Sequence, residues 1–167
     1  PDRVDDVDLD DGASRLEGCT FRPGVASPTA PSASALMVTR DGGRTWTEVT
    51  PAANPGFARK PYGRIAVNIA PSDPTRVYAF VESTASALYV SSDSGRTWEA
   101  RDKSQWMVWR PFYFARMTVD PINPDRVFKD DGNLILSEDA GRSFSVVGGF
   151  QGMHGDIHDV WINPKNP

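Results

Sequence analysis

At 167 residues, with 39% hydrophobic and 24% charged residues, the chain has the make-up of a folded globular segment and not of a disordered one. No run approaches the roughly 20 apolar residues that a membrane-spanning helix needs, and a net charge of −4 with its 18 Lys and Arg dispersed through turns argues against a nucleic-acid footprint. A lone cysteine, Cys19, excludes an internal disulfide, and no Cys/His set has zinc-ligand spacing.

The chain opens on Pro1-Asp2-Arg3-Val4, a tetrapeptide that returns unchanged at Pro124 to Val127. An acidic stretch follows, with Asp5, Asp6, Asp8, Asp10 and Asp11 ahead of Gly12. Alternate carboxylates at Asp6, Asp8 and Asp10 resemble the start of a calcium loop, but such a loop wants Gly directly after the third Asp, and Asp11 intervenes. The stretch is read as part of a solvated insertion over about residues 5–34, and no cofactor is expected. Residues 22–34, rich in Pro, Ser, Ala and Thr, read as a flexible loop within that insertion.

Three apolar or alternating runs come next, Ala35 to Val38, Ala87 to Val90 and Asn133 to Leu136, and each leads into one eight-residue pattern. The copies run Thr39 to Trp46, Ser91 to Trp98 and Ser137 to Phe144, as hydroxyl, any, Asp, any, Gly, Arg, hydroxyl, aromatic. Six defined positions out of eight, matched three times, identify an internal repeat. The pattern suits a hairpin turn: Asp41, Asp93 and Asp139 accept backbone hydrogen bonds, and Gly43, Gly95 and Gly141 supply positive φ. Trp46, Trp98 and Phe144 then start the return strand, where aromatic side chains pack well. Arg44, Arg96 and Arg142 are read as part of the turn.

A second pattern interleaves with the first. Ile65 to Tyr78 recurs as Met117 to Phe128 and, incompletely, as Val160 to Pro167. Its Pro-x-x-Pro loop is expected to join two strands rather than interrupt one. One unit is therefore strand, Pro loop, strand, short turn, strand, Asp turn, strand, which is the build of a propeller blade. The fold class is all-β: a partial β-propeller of about three four-stranded antiparallel blades and about twelve strands. With Pro1, Pro74, Pro124 and Pro167 as marks, the blade-lengths are 1–73 with its insertion, 74–123 and 124–167 of a single domain. The ends fall in mid-motif, and three blades leave sheet faces open, so either flanking sequence with further blades or self-association that closes a ring is expected.

Two clusters are candidates for chemistry. His154, Asp156 and His158 alternate on an extended strand with Asp159 beside them, so the imidazoles and one carboxylate share a face. They could hold a ligand, an acid–base pair or a metal, or simply form a polar start to an innermost strand bent at Gly155 and bonded to neighbouring blades. Too few donors are present for a metal site, and none is assigned. Trp106, Trp109, Arg110, Phe112, Tyr113 and Phe114 crowd the link to the next inner strand. There Trp109 and Tyr113 would stack on sugar rings or pack between blades, and Arg110 would orient a carboxylate.

The three Asp turns resemble the Asp box, or bacterial-neuraminidase-type repeat, of sialidases, sortilin-like propellers, xyloglucanase-type glycoside hydrolases and the photosystem II stability-factor family. With the Pro-x-x-Pro-x-Arg-Val motif and His154 to Pro164, the chain is most similar to large bacterial sortilin-like and xyloglucanase-like proteins, over roughly residues 60–167. The resemblance implies a structural role for the box aspartates and a secreted or periplasmic location. It implies binding of a polysaccharide or peptide, with hydrolysis if carboxylates flank the bond on both sides; no such pair is identifiable. The other reading is a non-enzymatic scaffold for a protein partner, since fold does not choose function.

Overall fold

The computed structural model describes residues 20–23 (backbone), 34–104, 116–130, 132–147 and 157–166, and every regular element among them is a β-strand. Eleven strands form three antiparallel sheets. The first holds β1 (Thr20–Pro23), β2 (Leu36–Thr39) and β3 (Thr47–Glu48). The second holds β4 (Tyr62–Ala70), β5 (Asp73–Ser83), β6 (Ala87–Ser91) and β7 (Glu99–Ala100). The third holds β8 (Met117–Val119), β9 (Val127–Lys129), β10 (Ile135–Ser137) and β11 (Ser145–Val146). In the second and third sheets, strands adjacent in sequence are adjacent in space, the meander of a propeller blade.

The two four-stranded sheets share one register. Val67 pairs with Ala79 and Asn68 with Tyr78 in one, and Met117 pairs with Lys129 and Thr118 with Phe128 in the other. Two features differ from the sequence expectation. β1 lies inside the span read as an insertion and takes the place beside β2 that β5 takes beside β6. The described residues hold eleven strands, and none of them pairs with the edge of β1 away from β2. Pro74 lies within β5 and not in a separate loop: Ala70 pairs directly with Asp73 across a register shift, and such an irregularity tolerates a residue that has no N–H to give.

Alternation along β5 and β6 decides the packing. Val77, Ala79, Val81, Ala87 and Tyr89 face the first sheet and share a core with Leu36, Val38 and Val49. Tyr78, Phe80, Leu88 and Val90 face the opposite way and share a core with Met117, Val119, Val127 and Ile135 of the third sheet. The central sheet is thus apolar on both faces, as a strand buried on two sides must be.

Polar contacts register the sheets. The Asn68 amide donates to the Met117 carbonyl at 2.7 Å, the Tyr78 hydroxyl to Pro124 O at 2.6 Å, and Arg76 pairs with Asp125 at 2.8 Å. Between the first two sheets, Asn54 Nδ2 donates to Gly95 O at 2.7 Å, and Trp98 N to Pro55 O at 2.8 Å. Gly56 lies in this clip with φ +87°, and a Cβ there would run into the Trp98 carbonyl. Gly56→Ala should therefore cost about 2 kcal/mol or more, since neither the backbone angle nor the carbonyl can yield cheaply. Urea unfolding measures it as a lowered midpoint.

Candidate functional site

The Asp turns are built alike. Asp93 Oδ1 accepts from the Arg96 and Thr97 backbone N–H groups at 2.9 Å each, and Oδ2 accepts from the Thr97 hydroxyl at 2.6 Å. Asp139 repeats this with Arg142 and Ser143 at 2.9 Å each and the Ser143 hydroxyl at 2.6 Å. Asp41 takes the Thr45 N–H at 2.9 Å and the Thr45 hydroxyl at 2.6 Å. The aspartates thus reach three and four residues on, further than the two-residue reach of a simple Asx turn. The opening hydroxyl closes the other side, as the Gly95 and Gly141 N–H groups donate to Ser91 Oγ and Ser137 Oγ at 2.8 Å each. Arg96 Nη1 and Arg142 Nη1 fold back onto Asp93 O and Asp139 O. Gly43, Gly95 and Gly141 all have positive φ.

These contacts use up the carboxylates. Hydrogen bonds from the Thr45 hydroxyl and N–H and the Thr39 hydroxyl lower Asp41 to about 2. At Asp139 burial pushes upward, but the Ser143 hydroxyl and N–H and the Ser137 hydroxyl outweigh it and hold it at about 2. Asp93 is shifted down for the same balance of reasons. A carboxylate bonded this way is a poor proton donor or base near neutral pH.

Of the residues singled out in the sequence for ligand chemistry, His154, Asp156, Trp109, Arg110 and Tyr113 lie outside the described residues, as do Asp6, Asp8 and Asp10. His158 and Asp159 are exposed at the start of residues 157–166. The Thr118 hydroxyl donates to Val160 O at 3.1 Å, which sets this segment alongside β8.

That placement brings Asp159 toward a charged group the sequence reading missed. Lys129 ends β9 and Asp130 follows it, and they are 0% and 3% exposed. In the shared register Lys129 stands where the second sheet has Ala79, and Asp130 where it has the core residue Phe80. Arg116 stands where it has Ala66, Phe80's partner. Burial raises the Asp130 carboxyl, and the Asp159 charge adds to that. The Lys129 charge, the Arg116 backbone N–H and the Arg116 charge oppose it without prevailing. Asp130 Oδ1 is buried without a hydrogen-bond partner, and Lys129 Nζ donates to the Asp130 carbonyl at 3.3 Å. A substitution of Phe by Asp at one register position of a repeat was the available signal. Among the described residues no group of three or more His, Cys, Asp or Glu could hold a metal ion, and no helix is long and apolar enough to cross a membrane.

No family model matches the chain, and no curated protein matches it in sequence. Solved structures do match in shape. YCF48 bound to D1 peptide aligns over 78% of this chain with TM-score 0.54 and 16% identity. The GH74 enzyme of Niastella koreensis aligns over 78% with TM-score 0.52 and 16% identity. Both are β-propellers. The chain has the fold of a partial β-propeller. It spans 37% of the first structure's chain and 21% of the second's.

The Asp turns make acid stability testable. A carboxylate lowered to about 2 in the folded chain contributes stability that is complete above its ordinary value of 3.8 and is lost as pH falls toward 2. The urea midpoint of the wild-type chain should therefore drop between about pH 4 and pH 2, and Asp139→Asn should flatten that drop. Parallel acid limbs would show that the turn carboxylates carry none of it.

Proposed function

We propose that the chain is part of an exported propeller protein that binds a peptide or polysaccharide ligand, and that Asp130, His158 and Asp159 mark the binding end of the inner strands. Asp130 is the observation that carries this reading. A carboxyl with an unsatisfied buried oxygen, in a register place where the neighbouring blade has Phe80, costs stability. Such costs gather at functional sites, because the group is kept for what it binds.

The neighbours are compatible with this reading: one propeller of similar shape was solved with a peptide, and another is a glycoside hydrolase family 74 enzyme. Binding is preferred to hydrolysis because cleavage of a glycoside needs two carboxylates flanking the bond. Asp41, Asp93 and Asp139 are consumed by their turns.

Asp130→Asn separates function from folding. With the folded carboxyl raised, ionisation near neutral pH opposes folding, and that penalty is absent below the ordinary value of 3.8. The variant should match or exceed the wild-type melting temperature at pH 7, with the gain fading by about pH 4. Binding to an oligosaccharide and peptide panel, read by calorimetry, should weaken about tenfold or more in Asp130→Asn and in His158→Ala. Wild-type affinity in both variants would overturn the site.

A further inference from the structure

The first Asp turn carries a bond that the other two lack. The residue after the box aspartate is Ser94 in the second turn and Ala140 in the third, but Gly42 in the first. All three take positive φ, 71° at Gly42 and 59° at Ser94 and Ala140, so the turn does not demand glycine at this place. Asp-Gly is the aspartyl bond most open to rearrangement, since no Cβ shields the glycine nitrogen from the Asp side-chain carbon. The chain's other two Asp-Gly bonds, Asp11-Gly12 and Asp131-Gly132, each involve an aspartate outside the described residues.

In that rearrangement the Gly42 nitrogen bonds to Asp41 Cγ, and the amide proton leaves with the carboxyl hydroxyl as water. Water then opens the five-membered imide. Opening at the Asp41 main-chain carbonyl leaves the backbone running through the former side chain, one methylene longer, as isoaspartate. The turn obstructs the first step. Asp41 Oδ1 accepts the Thr39 hydroxyl at 2.8 Å and the Thr45 N–H at 2.9 Å, and Oδ2 accepts the Thr45 hydroxyl at 2.6 Å. Whichever oxygen leaves, a bond to it must first break, and turning Cγ onto the Gly42 nitrogen breaks the rest. The same donors keep the carboxyl ionised, and the ionised form is the poorer electrophile.

We propose that Asp41-Gly42 is a conditional isomerisation site, silent while the first turn is formed and converted to isoaspartate when its threonine contacts open. Refolding does not undo the change, because the longer backbone carries the carboxylate away from Thr39 and Thr45. Arg40, the preceding residue, then loses the placement that gives its 3.0 Å bond to Ser94 O, one of the contacts docking the first sheet on the second. Opening of this turn is thus recorded as a covalent change that weakens sheet docking.

Peptide mapping by mass spectrometry with fragmentation that separates Asp from isoaspartate tests this on the full chain. Conversion in the folded state scales with the fraction of turns open, so wild-type Asp41 should convert at least about tenfold more slowly in buffer than in urea. Thr45→Val, which removes the hydroxyl donor, should convert several times faster than the wild type in buffer, whereas Thr45→Ser, which keeps it as Ser143 does in the third turn, should match the wild type. Gly42→Ser, the second turn's own residue, should fold as the wild type does and convert slowly even in urea. The converted chain, separated by ion exchange, should unfold at a lower urea midpoint. Equal wild-type rates in buffer and urea, a Thr45→Val rate equal to that of Thr45→Ser, or a converted chain with an unchanged midpoint would overturn the proposal.

Discussion

The rest of the structure depends on the two-sided burial of one sheet. Val77, Tyr78, Ala79, Phe80 and Val81 are successive residues of β5, and all five are 0% exposed. Because side chains alternate across a strand, no single neighbour could cover them: three need a partner on one face and two on the other. At about 25 cal/mol for each Å² of apolar surface removed from water, losing either partner would strip the strand of a large part of its stabilisation. The sheets therefore stand or fall together, as neighbouring repeats do when each covers the next.

Burial alone would allow the sheets to slide, and the Asp turns oppose this. The second and third turns present backbone carbonyls to which the preceding blade supplies the donors. Arg40 Nη2 reaches Ser94 O at 3.0 Å and Arg101 Nη1 reaches Ala140 O at 3.4 Å, two turn positions that share φ 59°. Gly141 completes the fit, since a Cβ there would meet Leu88 Cδ2 at 2.5 Å. The turn residues thus serve two ends at once, closing a hairpin and carrying the surface against which the previous blade is docked. That double duty explains why hydroxyl, Asp, Gly and hydroxyl recur together when a hairpin turn alone would accept many sequences.

Much of this was legible in the sequence because it is periodic. Three copies of an eight-residue turn and an interleaved proline loop fix which segments are strands and in what order they meet. What periodicity marks poorly is departure from itself. β1 was hidden in a stretch whose Asp, Pro and Ser content argued for an insertion, and pairing with β2 overrode composition. Lys129 and Asp130 stand at positions that the repeat does not specify, so nothing in the pattern sets them apart. A Phe-to-Asp change in one blade is invisible to a pattern built on what the blades share.

The contrast between the two classes of aspartate follows from how many donors surround each. Asp93 and Asp139 accept three or more hydrogen bonds from neighbours within four residues, so local sequence fixes their charge and they serve the fold. Asp130 owes its environment to groups brought by three different strands or segments: Lys129 beside it, Arg116 on β8's approach and Asp159 beyond. Its protonation is therefore coupled to how the inner strands are assembled, and anything that moves residues 157–160 against β8 alters the charge it feels.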